Sequence, residues 1–393
     1  MLNSIIVKDM ILKVRLLSLL CIFLVVAGCS KKGGGTTPAP NPPTPPTPAW
    51  DPNAWRGVWI TTTASTALDS RDNIRQTVLN CKTAGINHLF VVVYNNARTM
   101  YPSAVMDKLI GKPILERFAG RDPLKEIIDE GHAAGLKVHA WFEYGFASSY
   151  SASGGPIVSA KPHWAAKDLG GLLVVKNGFD WLNPFHPEVQ GFMIDLFKEV
   201  VTNYNIDCVQ GDDRMPAVPS TSGYDSYTRS LYLAERGVEP PSDPKETNWL
   251  NWRAGKLNGF LKRLRTEVKA VKPNVLFTMS PSPFPFSLNE YLQAWPTWVD
   301  SGYVDAVFPQ CYRYDINAYT ATLAQQKTAM NGNVSIVYPG VLVKSGTYVA
   351  TDGFLTQMVQ ANRQAGFKGE AWFFYEGVKD KLPFFQGQYP FIK

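Results

Sequence analysis

The sequence of 393 residues is poor in the side chains that build metal sites and disulfide frameworks. It contains 5 His and 5 Cys, with no CxxC, HxH or HExxH pattern. We therefore expect no metal and no cofactor. Beyond residue 50 the cysteines are Cys81, Cys208 and Cys311. The last two lie in apolar runs, which predicts small buried side chains rather than disulfides.

Motifs of two large enzyme classes are also missing. The first apolar run, residues 56–62, continues into threonines and an alanine instead of a glycine-rich turn that binds phosphate. This argues against a doubly wound nucleotide-binding sheet. The sequence has no GxSxG elbow and no pairing of cysteine with histidine that would indicate an esterase or a peptidase.

Positive charge is concentrated at the N-terminus. The net charge is +6, but residues 1–50 contain five basic side chains and a single acidic one. The rest of the chain has little basic excess, so nucleic acid is not an expected partner. We expect a monomer.

The N-terminal segment has the features of a bacterial lipoprotein signal. A basic stretch precedes an apolar run, residues 16–26, that is shorter than the roughly 20 residues needed to span a bilayer. The run leads into VAGC, which resembles a lipobox, and the acylated residue would be Cys29. We predict a signal peptide at 1–28 and an extended Gly/Pro/Thr-rich tether at 29–50. A protein of this kind is held to a membrane of the bacterial cell envelope by lipid.

Beyond the tether, residues 51–393 read as one domain in which strands alternate with helices. The predicted strands are residues 56–62, 88–94, 137–144, 206–209, 275–280, 304–312, 334–343 and 370–375. The predicted helices are residues 72–84, 123–134, 187–204, 252–271, 288–298, 319–330 and 353–365. Eight such units predict an α/β fold, a (β/α)₈ TIM barrel. The long connections follow strands two, three and four, where loops build the catalytic face.

Acidic side chains follow the fourth predicted strand. Asp212 and Asp213 come at its exit, which in a barrel is the mouth of the active site. Paired carboxylates at such a mouth are typical of glycoside hydrolases. Neighbouring strand residues face opposite ways, so we expect Asp213 to be catalytic and Asp212 to position it or shift its pKa. Asp207, at the start of the strand, is expected to be structural.

The second catalytic carboxylate should come from another strand end. Glu143 ends strand three, which neighbours strand four, and Glu376 ends strand eight, across the mouth. The alternative for either residue is a rim ion pair with Arg98, Arg214 or Arg313. Polar and aromatic side chains near strand ends are candidates for sugar binding: Trp59, Tyr94, Arg98, Trp141, Tyr144, Arg214, Gln310, Tyr312 and Trp372.

Several short motifs, in a fixed order, resemble glycosyl-hydrolase-like family 10, a group of bacterial extracytoplasmic TIM-barrel proteins. The matching segments are RGVW at 56–59, VHAWF at 138–142, WLNP at 181–184, PEV at 187–189, DCVQGDD at 207–213, SP at 280–281 and VFPQCY at 307–312. The resemblance covers about residues 55–377 and implies hydrolysis of a glycosidic bond, in at least some members on cell-wall glycan. Cys208 and Gln210 stand where the family pattern leads us to expect glycine and histidine.

Two alternatives accompany this interpretation. The strand-four register is loosely similar to the chitinase signature DxxDxDxE, but Arg214 stands at the position of the glutamate, which argues against a substrate-assisted mechanism. A barrel that binds glycan without cleaving it is the alternative function. The predicted function is hydrolysis of an extracytoplasmic glycan, either peptidoglycan or another cell-envelope or dietary polysaccharide.

Overall fold

The computed structural model describes residues 51–389, and their centre is a sheet of eight parallel strands. The strands are β1 (Arg56–Ile60), β2 (His88–Val92), β3 (Lys137–Phe142), β4 (Cys208–Gly211), β5 (Leu276–Met279), β6 (Ala306–Val307), β7 (Gly340–Leu342) and β8 (Glu370–Phe373). Each strand pairs with its sequence neighbour, except for the pair β6 and β7, which lie at the two ends of the strand order, and β1 pairs with β8. The predicted signal peptide, Cys29 and the whole of the tether lie outside the described residues.

Backbone hydrogen bonds close the sheet between β6 and β7. The amide of Val307 donates to Ile336 O at 2.9 Å, and that of Tyr338 donates to Val307 O at 2.9 Å. The amide of Gly340 donates to Pro309 O at 2.7 Å. The predicted (β/α)₈ barrel is therefore confirmed.

A helix follows each strand along the chain. These helices are α1 (Arg71–Thr83), α2 (Pro123–Ala133), α3 (Pro187–Asn203), α4 (Thr247–Val271), α5 (Trp295–Asp300), α6 (Ile316–Ala329), α7 (Asp352–Ala365) and α8 (Leu382–Gln388). Six of the eight begin with a side-chain cap; for example, the Asp122 carboxylate accepts from Lys125 N, and Pro123 occupies the first turn. None of the helices in residues 51–389 is long and apolar enough to cross a bilayer.

The long connections after β2, β3 and β4 carry further elements, as the sequence predicts. After β2 these are Tyr94–Asn95, Arg98–Thr99, Ala104–Ile110 and Glu116–Phe118. After β3 they are Ala147–Tyr150, Gly155–Ala160, Pro162–Trp164, Val175–Lys176 and Phe179–Trp181. The connection after β4 holds the helix Ser226–Arg236. Other short elements are Phe286–Tyr291, Lys344–Ser345, Tyr348–Val349, Tyr375–Val378 and Lys379–Lys381.

Three predicted elements differ from the structure. Strands β6 and β7 are shorter than predicted, because Pro309 and Pro339 lack the amide hydrogen that a continuous ladder needs. The helix predicted at 288–298 is two short helices, since Leu292 between them takes a left-handed conformation with φ of 60°. Neither difference moves a strand end away from the catalytic face.

Aromatic rings fill the barrel interior. Phe90 packs against Trp59 and Phe308, with ring centroids 5.3 Å and 4.8 Å apart. A Cβ at Gly57 would lie 2.2 Å from the Phe90 ring, so only glycine leaves room for it. His139 lies in the same interior and its Nε2 is 2.7 Å from His88 Nδ1, which makes it a core histidine.

The opposite end of the barrel carries structural carboxylates. Asp207 accepts from Val138 N at 2.9 Å and contacts His132 and Lys137 at 2.7 Å and 2.9 Å. These contacts join β4 to β3 at the end away from the mouth, which agrees with the structural role expected for Asp207. Asp305, which directly precedes β6, likewise joins β6 to β5, because its carboxylate accepts a hydrogen bond from Phe277 N at 2.8 Å.

Candidate active site

Three acidic side chains and one arginine meet where β3 and β4 end. Glu143 directly follows β3, and Asp212, Asp213 and Arg214 directly follow β4. The two strands are paired, with Phe142 beside Gly211, so their exits are adjacent. The structure thus brings together the neighbouring-strand carboxylates that the sequence nominates.

The Arg214 guanidinium is the centre of this cluster. Its Nη2 lies 3.0 Å from Asp212 Oδ2 and 4.0 Å from Glu143 Oε1, and its Nη1 lies 2.9 Å from Asp213 Oδ1. Its Nε donates to the backbone oxygen of Glu143 at 3.0 Å. Burial would lower the pKa of Arg214, but the three acidic neighbours raise it overall. The residue is therefore a fixed cation that faces three carboxylates.

Glu143 is held by neutral donors on its other side. Its Oε2 accepts from Asn95 Nδ2 at 2.5 Å and from Thr61 Oγ1 at 3.3 Å. Burial raises the pKa of this carboxyl, although Arg214 and the two hydrogen bonds act in the opposite direction. A glutamate with a raised pKa can supply a proton near neutral pH.

Asp212 is the most enclosed of the three acids, with its side chain 3% exposed. Its Oδ1 accepts from Gln310 Nε2 at 2.6 Å and from Ser280 Oγ at 3.0 Å. Burial and the charge of Asp213 raise its pKa well above the usual range. Because Gln310, Ser280 and Arg214 between them contact both of its carboxylate oxygens, Asp212 suits a positioning role.

Asp213 is the most exposed of the three acids, with its side chain 23% exposed. Its contact with Arg214 is an ion pair without hydrogen-bond alignment. The contacts of Asp213 and Glu143 with one planar guanidinium limit the distance between their nearest oxygens to at most about 9 Å. Two-carboxylate glycoside hydrolysis uses separations of up to about 9.5 Å, and this upper bound is below that limit.

Aromatic rings flank the cluster on two sides. The Arg214 guanidinium lies 4.6 Å from the ring centroid of Phe179 and 5.5 Å from that of Tyr144. Near Gln310, the half-buried rings of Tyr312 and Phe373 lie 5.1 Å apart. The half-buried ring of Tyr312 can stack on a sugar, and the Gln310 amide can hydrogen-bond to one, so both stay candidates for binding it. Tyr144 is 8% exposed, so its main contact is with Arg214.

Four other aromatic candidates are wrong, because each is buried. Trp59 and Trp141, 1% and 2% exposed, lie in the barrel interior, where Trp59 Nε1 donates to Gln210 Oε1 at 2.9 Å. Tyr94 and Trp372 are fully buried. The rings that pack against them belong to Phe192 of α3 and Phe385 of α8, on the outside of the barrel. None of the four presents a ring face to a sugar.

Two charged candidates have partners outside the Arg214 cluster. Glu376 accepts from Ser65 Oγ at 2.7 Å and forms an ion pair with Lys379, so the prediction of a catalytic Glu376 is not supported by its contacts. Arg98 forms an ion pair with Glu116 at 3.0 Å on the rim, so it is not a free sugar-binding group. Side chains with metal-ligand spacing, His163, His186 and Glu188, also lie outside the cluster.

Sequence reasoning missed four members of the site. Thr61, Asn95 and Ser280 each follow a barrel strand, so the same rule that found the acids could have found them. Phe179 comes from deep within the connection after β3, where no sequence signal indicates a neighbour of Arg214.

Comparisons with known proteins show similarity to glycosyl hydrolases. The family model described as Glycosyl hydrolase-like 10 matches residues 54–348. The chain is 26% identical over 343 residues to glycosyl hydrolase DigH of Escherichia coli K12, with 72% of each chain covered.

Two solved structures share the fold. The glycoside hydrolase domain of PgaB (BpsB) from Bordetella bronchiseptica has a TM-score of 0.62 at 14% identity, over 84% of this chain and 99% of that one. The catalytic domain of beta-amylase from Paenibacillus polymyxa has a TM-score of 0.60 at 11% identity, over 87% and 98%.

Proposed function

The chain belongs to the glycosyl hydrolase-like 10 family, and we propose that it hydrolyses a glycosidic bond in an extracytoplasmic glycan. The observation that carries this proposal is the grouping of Glu143 and Asp213 on opposite sides of Arg214 at adjacent strand exits. Glycoside hydrolysis needs two carboxylates in different roles within one mouth. The two residues differ in burial and in partners, as that division of roles requires.

In the proposed reaction Glu143 is the acid and Asp213 the second carboxylate. The Glu143 carboxyl gives its proton to the glycosidic oxygen as the bond from that oxygen to the anomeric carbon breaks. Asp213 then either attacks the anomeric carbon or takes a proton from the water that attacks it. Asp212 and Arg214 are positioning residues, because Asp212 is bound to Ser280 and Gln310 while Arg214 aligns both acids.

We place the protein in the bacterial cell envelope, tethered by a lipid on Cys29. The support is the order of a basic stretch, a short apolar run and VAGC, followed by a Pro/Thr-rich segment before the barrel. The substrate in this setting is peptidoglycan or another polysaccharide outside the cytoplasm. Replacing Cys29 by alanine should move the protein from the membrane fraction to the soluble fraction. Continued membrane association of the variant would contradict the anchor.

The decisive experiment is a digest of peptidoglycan sacculi and a panel of soluble polysaccharides. The full-length protein should release new reducing ends from at least one glycan, and Asp213→Asn and Glu143→Gln should each slow that release by roughly 10²-fold or more. Glu116→Gln is the matched control, since Glu116 is a rim carboxylate with its side chain 55% exposed, paired with Arg98, and should keep full activity. Release of reducing ends at the wild-type rate by both active-site variants would refute the assignment.

The alternative function is glycan binding without cleavage. The observation in its favour is that the Arg214 guanidinium contacts all three acids and so offsets part of their charge. A protein that only binds should be retained by an insoluble glycan from the panel and release no ends from any of them. In that case Asp213→Asn should change how strongly the insoluble glycan retains the protein, and neither the variant nor the wild type should release reducing ends.

A further inference from the structure

A second group of side chains lies together on the outside of the barrel, where the β3 connection meets α3. His163 comes from the short helix Pro162–Trp164, His186 caps α3, and Glu188 is in its first turn. One ligand atom from each of the three lies within 4.8 Å of the other two. Two imidazoles and a carboxylate form the donor set of many zinc sites.

The spacing is close to that of a bound ion. In tetrahedral coordination with bonds of about 2.0 to 2.1 Å, ligand atoms lie about 3.3 to 3.5 Å apart. The distance from His163 Nε2 to Glu188 Oε2 is already 3.2 Å. These two side chains are 51% and 52% exposed, so they can make the remaining small movement without disturbing a packed core.

The surroundings hold two of the ligands in place. Trp164 is buried, and its Nε1 donates to Glu188 Oε2 at 2.9 Å, which orients the carboxylate as outer partners do in metal sites. The Glu188 amide donates to His186 Nδ1 at 3.3 Å. Pro162 and Pro187, next to the two histidines, restrict the backbone of both segments.

We propose that His163, His186 and Glu188 bind one first-row transition-metal cation, with zinc as the expected ion. Imidazole ligands favour zinc, cobalt, nickel and copper over calcium and magnesium, which prefer all-oxygen sites. In tetrahedral coordination, three protein ligands leave the fourth coordination position for a water molecule. The proposal is independent of glycosidase activity, because none of the three residues contacts the Arg214 cluster through any described interaction.

The ion would fasten the connection after β3 to the start of α3. The oxygen of Trp164 accepts from Asn183 N at 2.7 Å, and Asn183 Nδ2 donates to Thr228 in the connection after β4. The same β3 connection carries Phe179 onto Arg214. The metal would therefore stabilise the loop that forms one wall of the mouth, while its ligands stay on the outer surface.

The test is metal binding to the full chain without an affinity tag, after dialysis against a chelator. Calorimetric titration with zinc chloride should show one equivalent bound, and cobalt(II) should give visible bands of a four- or five-coordinate site. His163→Ala and Glu188→Gln should each weaken zinc binding at least tenfold, in line with the loss of one ligand of three. The melting temperature should rise with zinc in the wild type and not in either variant.

His132→Ala is the control, since it removes an imidazole that is bonded to Asp207 elsewhere in the chain, and it should retain the full equivalent of zinc. Circular dichroism checks that each variant is folded. The side chains replaced at the metal site, His163 and Glu188, are 51% and 52% exposed, so folding should be kept. The proposal is overturned if the wild type binds no zinc. It is also overturned if both site variants bind zinc as the wild type does.

Discussion

Replacing Arg214 by methionine removes the charge at the centre of the mouth and keeps much of the apolar length of the side chain. The change eliminates the contacts with Asp212 and Asp213 and the hydrogen bond to the backbone oxygen of Glu143. The arginine side chain is 12% exposed and that of Asp212 is 3% exposed. Removal of one partner from a buried ion pair costs about 3–5 kcal/mol. A domain is stable by about 5–15 kcal/mol, so the variant should fold with a clearly reduced free energy of unfolding.

The loss should depend on pH. Burial and Asp213 already raise the pKa of Asp212, and burial raises that of Glu143, while Arg214 lowers both. Without Arg214 both pKa values rise further above those of the unfolded chain. A carboxyl with a raised folded-state pKa stabilises the fold while it is protonated, and that stability is lost as pH rises through the folded-state pKa. The deficit of the variant should therefore be larger at about pH 8 than at about pH 5.

Urea unfolding followed by tryptophan fluorescence at the two pH values measures this deficit. Arg229→Met is the matched control, because Arg229 and Glu239 form an ion pair 53% and 54% exposed and its loss should cost less than about 1 kcal/mol. The reasoning is refuted if Arg214→Met loses less than about 1 kcal/mol at high pH. A deficit that is the same at both pH values would refute the electrostatic part.

Three further predictions concern other groups of the barrel. If Glu143 donates the proton, pH–rate profiles should show kcat/KM falling as pH rises through the raised pKa of Glu143. Glu143→Gln should lower kcat by roughly 10²–10⁴-fold, and its profile should lack this fall at high pH. Glu370→Gln should lower the free energy of unfolding by about 3–5 kcal/mol in urea titrations, because the fully buried Glu370 accepts two hydrogen bonds from Arg363, and an unchanged midpoint would contradict this. Burial raises the pKa of every thiol in the described residues, so a thiol reagent should label none of them in the native barrel and all of them in urea: Cys81, Cys208 and Cys311.

Local patterns were enough to predict the barrel. Buried apolar runs that alternate with amphipathic helices require a parallel sheet covered on both faces, and the eight strands of the structure follow from them. Prolines were the main local source of error, since Pro309 and Pro339 shorten β6 and β7 within runs that are otherwise typical of strands. The N-terminal signals lie outside the described residues and stay predictions.

Position at a strand exit was also enough to nominate Glu143, Asp212 and Asp213, because all strands of a parallel barrel end at one mouth. It could not tell which way a side chain near that end would face. Trp372 and Tyr94 face away from the mouth and pack against helices α8 and α3. Glu376 forms an ion pair with Lys379. A shift of one residue reverses the face of a strand, and sequence reasoning does not resolve strand ends to one residue.

Local period and chain order are enough to establish the alternation of strands and helices and the set of acids at the barrel mouth. The folded structure is needed to show which of these acids share Arg214 and which rings are buried. It also brought His163 next to Glu188 across a connection of 25 residues. The physical reason is that such contacts join segments distant in the chain. Their distances depend on how the loops fold back over the barrel, which local spacing does not encode.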